Sequence, residues 1–131
     1  MNELHHSQHR RNVSFWEGFQ FAGEGLLYAF RTQRNFRVHL VTAIAVIVLG
    51  TWLRLSQQSW AILALIIGLV LTAEMINTAA EALVDLTSPE YHPLAKLVKD
   101  LMAGAVLIVA MISVIVGLLI LGPPLLLRLG F

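Results

Sequence analysis

The chain predicts an all-α integral membrane protein: three transmembrane helices preceded by an N-terminal amphipathic surface helix. Three observations predict this. Of 131 residues, 57% are hydrophobic and only 13% are charged, whereas a soluble domain carries about 25% charged residues. So few charges cannot cover a water-facing surface, so much of the surface must face lipid. Three long runs are nearly free of charge, and the segment before them separates its apolar and polar residues by helical face.

The spans follow in order. Leu101 to Gly122 is 22 residues without a charge and meets Pro123-Pro124, long enough for a hydrocarbon core about 30 Å thick. Trp60 to Ala73 is also uncharged, and its helical character continues through Glu74 and Glu81 to about Leu86. Leu40 to Leu53 is shorter, flanked by His39 and Arg54, whose side chains can snorkel to the headgroups. The expected spans lie near 37–54, 59–87 and 96–122, joined after the second by a loop over 87–95 that Ser88-Pro89 and His92-Pro93 mark.

Ahead of the spans, Phe15, Trp16, Phe19, Ala22, Leu26, Leu27 and Phe30 share one face, and Glu17, Gln20, Glu24, Tyr28 and Arg31 the other. That pattern suits a helix over 14–32 lying in the membrane interface, with Ser14 and Glu17 spaced as a capping box. Residues 1–13 read as a disordered tail. His5, His6 and His9 within it could hold a metal, but a flexible polar terminus is the simpler reading. No cleavable signal pattern is expected at Met1. The membrane domain is then a single unit over 14–131.

Orientation follows from basic residues. Arg10, Arg11, Arg31, Arg34, Arg37, Lys96 and Lys99 fall on one side, and Arg54 and Arg128 on the other. The bias predicts a cytoplasmic N-terminus and second loop in a multi-pass bacterial inner-membrane protein. A net charge of +1 points to no nucleic-acid partner, and the absence of cysteine excludes disulfides and thiolate metal sites.

The second span carries the chemistry. Glu74, Asn77, Glu81 and Asp85 are spaced i, i+3, i+7 and i+11, an arc of about 80° on a helix. Ionisable residues within a span are costly and point to function. With Trp60 at the outer boundary, Glu74 lies roughly 21 Å deep and Glu81 roughly 31 Å. The stripe is therefore a ladder from the inner leaflet to water, where a lipid headgroup and a soluble anion could meet. Lys96, Lys99 and Asp100 open the third span at the same level. Acids, an amide and a lysine at one interface suit phosphoryl transfer, which depends on positioning and charge stabilisation. Glu74 is the best candidate for a general base. The rival reading is a small oligomeric transporter or proton-conducting assembly with Glu74 as its carrier site. Three spans enclose little, so an oligomer is expected in either case, and Gly68 and Ala103-Gly104-Ala105 permit close helix contact. No phosphate loop G-x-x-x-x-G-K-[ST] and no G-x-G-x-x-G is present.

These residues resemble a known family. Glu74-x-x-Asn77-Thr78-Ala79-x-Glu81-x-x-Val84-Asp85, Ala95-Lys96-x-x-Lys99-Asp100-x-x-Ala103-Gly104-Ala105-Val106-Leu107 and Arg34-Asn35-Phe36-Arg37-Val38-His39 are similar to the signatures of the prokaryotic diacylglycerol kinases, which include undecaprenol kinases. The resemblance covers about 14–122. It implies a homotrimer with active sites shared between subunits, phosphorylating a membrane lipid alcohol with ATP and Mg²⁺. By resemblance, Glu74 is the catalytic base with Asn77 beside it, and Glu81 binds metal and nucleotide. Glu90, Tyr91, His92, Lys99 and Asp100 contact the nucleotide. Phe19, Ala22, Gly23, Leu26 and Phe30 form the lipid-binding face. The family usually places a second metal-binding glutamate where this chain has Gln33. A neutral amide there implies retained activity with a raised Mg²⁺ requirement. The run from Arg34 to His39 resembles the undecaprenol kinase branch.

Overall fold

A computed structural model of the chain describes residues 14–130. The tail assigned to 1–13, with its three histidines, lies outside the described residues. Four helices follow one another: α1 (Phe15–Thr32), α2 (Arg34–Leu53), α3 (Gln57–Thr87) and α4 (Pro93–Leu129). The last three are long and apolar enough to cross a membrane, and most of their large apolar side chains point outward, as in an all-α protein whose solvent is lipid.

Helix α1 starts as its sequence requires: the Ser14 N–H donates to Glu17 Oε2 at 2.7 Å, the Glu17 half of a capping box. Ala29, fully buried, is the point where α1 docks, and Gly25 brings its backbone close to Met75 of α3. Phe15, Trp16, Phe19 and Phe30 stay exposed, as an interfacial helix demands.

One residue, Gln33, in extended conformation, separates α1 from α2. The corner is held from the far side: Arg37 Nη1 donates to the carbonyls of Phe30 and Arg31 at 3.0 and 3.1 Å. These carbonyls have no partner within α1 itself, so a guanidinium meets a need that every helix C-terminus creates.

The other end of the bundle is more tightly packed. Arg54 closes α2 in the left-handed region, at φ 54°, and Ser56 Oγ caps α3 by accepting from the Ser59 N–H. A Cβ on Gly50 would stand 3.0 Å from both Leu55 Cδ1 and Trp60 Cη2, so only glycine lets the turn fold back this closely. Leu53, Leu63 and Leu121 form the core there, with Val46, Leu49, Leu55, Trp60, Ile120 and Leu125 around them.

Helix α4 departs from expectation at both ends. It begins at Pro93 rather than near Lys96 because Pro93 occupies the first turn, where its missing N–H costs nothing, and His92 caps it through Nδ1, 3.2 Å from the Leu94 N–H. It also runs through Pro123-Pro124 to Leu129 instead of stopping at the pair. Prolines are tolerated in spanning helices when neighbours hold the turn. Here Leu125 packs on the leucine core and the Arg128 guanidinium lies 4.8 Å from the centre of the Trp52 ring. Gly130, at φ 87°, ends the helix.

Leu63 is 1% exposed at the centre of this core. Leu63→Ala should lower stability by about 2–5 kcal/mol, measured as a shift in the unfolding midpoint on titrating mixed micelles with a denaturing detergent.

Candidate functional site

Burial grades the polar stripe of α3. Glu74 is 2% exposed, Thr78 7% and Asn77 8%, Glu81 is half-buried and Asp85 is exposed. Exposure rises down the stripe from the middle of α3 toward its C-terminal end. Asn77 Nδ2 donates to Glu81 Oε1 at 3.0 Å, one turn on, which fixes the Glu81 carboxylate and leaves its second oxygen available. Thr78 returns its hydroxyl to the Glu74 carbonyl at 2.9 Å, so it adds no free donor.

Two buried oxygens are left without a hydrogen-bond partner, Glu74 Oε2 and Asn77 Oδ1. A buried acceptor is normally satisfied, and leaving it bare costs about 1–3 kcal/mol. A ligand with a hydroxyl proton or a cation would satisfy both. The donor set is all oxygen: the Glu81 carboxylate and the Asn77 amide. That suits Mg²⁺, which binds through one or two carboxylates plus substrate phosphates rather than a closed protein cage. Among the described residues no group of three acidic, histidine or cysteine side chains gathers into such a cage.

Beside Glu74, the structure adds two residues that the sequence reading left without a role. Asn35 and His39 of α2 approach its carboxylate, as does Glu81. Asn35 and His39 are four residues apart, so they share one face of α2. That spacing at the start of an apolar helix was the available signal.

The residues expected to contact a nucleotide are less gathered. Lys99 reaches across to Asp85 on α3, while Asp100 turns to Lys96 on its own helix. Adjacent residues diverge by 100° on a helix, so Lys99 faces the stripe and Asp100 faces away within one chain. Glu90, Tyr91 and His92 are exposed at the α3–α4 connection, with His92 Nδ1 committed to the cap. Gln33 sits half-buried at the α1–α2 corner. Of the residues expected to form a lipid-binding face, Leu26 lines a cleft with Phe36, Thr72, Met75 and Ile76. Phe19, Ala22, Gly23 and Phe30 are exposed.

Residues 20–121 match the family described as prokaryotic diacylglycerol kinase. The chain belongs to that family. A diacylglycerol kinase of Synechocystis sp. is 51% identical over 109 residues, covering 82% of this chain and 62% of the relative. An undecaprenol kinase of Bacillus subtilis is 45% identical over 118 residues, 89% of this chain and 96% of the relative. A diacylglycerol kinase of Escherichia coli is 33% identical over 95 residues, 72% of this chain and 78% of the relative. The chain thus spans a little under two thirds of the Synechocystis relative's length. The match contains the whole polar stripe, Asn35 and His39, and the Lys96–Asp100 segment.

Both ion pairs at this end are substantially exposed, where such pairs contribute about 0–1 kcal/mol. Asp85→Asn should therefore leave thermal stability nearly unchanged, which a melting curve in detergent checks.

Proposed function

We propose that the protein transfers the γ-phosphoryl group of ATP to the hydroxyl of a membrane lipid alcohol, diacylglycerol or undecaprenol. The observation that carries this reading is Glu74: a buried carboxylate with one oxygen unpartnered, on the polar stripe of a family whose members include a diacylglycerol kinase and an undecaprenol kinase. The carrier alternative is disfavoured, because the acids descend toward one face with lysines beside them.

The lipid hydroxyl lies against Glu74 Oε2, which accepts its proton. The lipid oxygen then bonds to the γ-phosphorus as the bond from that phosphorus to the β,γ-bridging oxygen breaks. ADP leaves with that oxygen. Asn77 holds Glu81 in place, and its amide oxygen is left without a partner. Glu81, with Gln33, would hold Mg²⁺. When bound, the ion neutralises charge on the nucleotide's phosphates. Lys99 supplies a further positive charge once the nucleotide displaces Asp85. Glu90, Tyr91, His92 and Asp100 would reach the nucleotide of a site shared between subunits of a homotrimer. The divergence of Lys99 and Asp100 on one chain supports that sharing. The aromatic face of α1, with Phe19, Ala22, Gly23, Leu26 and Phe30, would meet the lipid. The basic-residue bias supports a cytoplasmic N-terminus in a bacterial inner membrane.

The deciding assay supplies radiolabelled ATP to the purified protein with a panel of lipid alcohols. Labelled phospholipid is the expected product; its absence from every alcohol would overturn the reading. Glu74→Gln should reduce kcat about 10²–10⁴-fold while nucleotide binding, followed by fluorescence titration, persists. Gln33→Glu should lower the Mg²⁺ concentration needed for half-maximal rate, because a charged oxygen replaces a neutral one; an unchanged Mg²⁺ dependence would remove Gln33 from the metal site.

A further inference from the structure

Glu74 is 2% exposed, so a proton that it accepts has no direct way to water. Phosphoryl transfer from ATP to an alcohol leaves one such proton behind in every turnover, because the alcohol's O–H bond is replaced by an O–P bond. Glu74 must shed it before it can deprotonate the next alcohol.

The levels of the helices bring His39 beside it. Val70 lies one turn before Glu74 on the same face of α3 and is buried too. It lines an apolar cavity of about 320 Å³ between α2, α3 and α4, and His39 stands in the wall of the same cavity. Phe36, three residues before His39, lies in a cleft with Leu71, Thr72 and Met75. The start of α2 therefore packs at the level of residues 70–76 of α3. The groups about the Glu74 carboxylate are His39, Glu81 and Asn35.

Of these, His39 alone is suited to take a proton and give it up again. Glu81 accepts the Asn77 amide and is the carboxylate proposed for Mg²⁺. The Asn35 amide does not titrate. An imidazole changes charge near neutral pH, and its two nitrogens let it gain a proton on one side and lose one on the other. The other histidine among the described residues, His92, spends Nδ1 on the cap of α4.

The surroundings leave the proton one way out. Beyond His39 the cavity offers nothing to carry it: the Thr42 and Ser113 hydroxyls in its wall donate to carbonyls of their own helices at 2.9 and 2.7 Å. Toward the start of α2 the path opens, since His39 is half-buried while Arg34 and Asn35 are exposed. Five residues separate His39 from Arg34, about 7.5 Å along the helix.

We propose that His39 takes the proton from Glu74 after each transfer and passes it to water at the start of α2. In the first step the O–H bond of the Glu74 carboxyl breaks as an N–H bond forms on the imidazole. In the second the imidazolium gives a proton to water, and the neutral ring and the Glu74 carboxylate are both restored. This role rests on the kinase reading. It acts through Glu74 and resets it, without touching the lipid or the nucleotide.

A reset shows only after the first turnover, and that sets the test. Purified full-length protein in mixed micelles, equilibrated with diacylglycerol or undecaprenol, is mixed rapidly with radiolabelled ATP and quenched over a time course. His39→Gln and His39→Ala should form one labelled phospholipid per active site at the wild-type rate, and then settle to a steady rate about 10²-fold lower. The size of that burst counts folded, competent sites. Free imidazole should raise the steady rate of His39→Ala and leave the wild type unchanged.

A first turnover slowed as much as the later ones would overturn the proposal, because His39 would then only shape Glu74. So would a steady rate equal to the wild type's, which would mean that the proton leaves with the product. A steady rate of His39→Ala that imidazole does not raise would also count against it. A wild type that phosphorylates no lipid alcohol would end the kinase reading and this role with it. An active wild type that either variant matches in the steady state would end the role alone.

Discussion

A carboxylate buried in an apolar helix sets the terms for the rest of this structure. Glu74 is almost fully covered, yet one of its oxygens has no partner within the chain. Burial of a charged group is costly unless something compensates it, and the polar groups that helix α2 places nearby are Asn35 and His39. Asn35 and His39 lie near Glu74 because α2 starts immediately after a one-residue corner and packs beside α3. The Arg37 clamp on the carbonyls of Phe30 and Arg31 holds that corner. The arrangement also leaves α1 next to the same end of α3.

The opposite end of the bundle provides the rigidity. The leucine core, the close approach at Gly50 and the contact between Arg128 and Trp52 fasten α2, α3 and α4 together. The polar end is looser: its ion pairs are exposed and its connection is short and open. A rigid apolar end with an open polar end fits a site that must admit both a membrane-bound and a soluble reactant. Stability and chemistry are separated along the helix axes, so most substitutions in the leucine core should not reach the stripe.

Much of the fold was legible because lipid imposes simple rules. Length and the absence of charge mark a spanning helix almost irrespective of its neighbours, and residue spacing places Glu74, Asn77, Glu81 and Asp85 on one face. The errors came where neighbours overrule local preference. Pro123-Pro124 reads as a stop, but the packing of Leu125 and Arg128 carries α4 through it. Where Lys99 and Asp100 point was left open by the sequence: helical geometry sends the two side chains to different partners within one chain. Asn35 and His39 were visible as residues and silent as participants, because nothing in α2 alone says which helix it will face.

The sequence by itself therefore determined the number of spans, the amphipathic surface helix and the order of polar groups down the stripe. These depend on the periodicity of a single helix and on the cost of placing charge in hydrocarbon. Only the tertiary structure decided which groups surround Glu74, where Lys99 and Asp100 point, and that an apolar cavity ends at the polar cluster. Those depend on how three helices cross, and the crossing is set by packing between residues far apart in the chain.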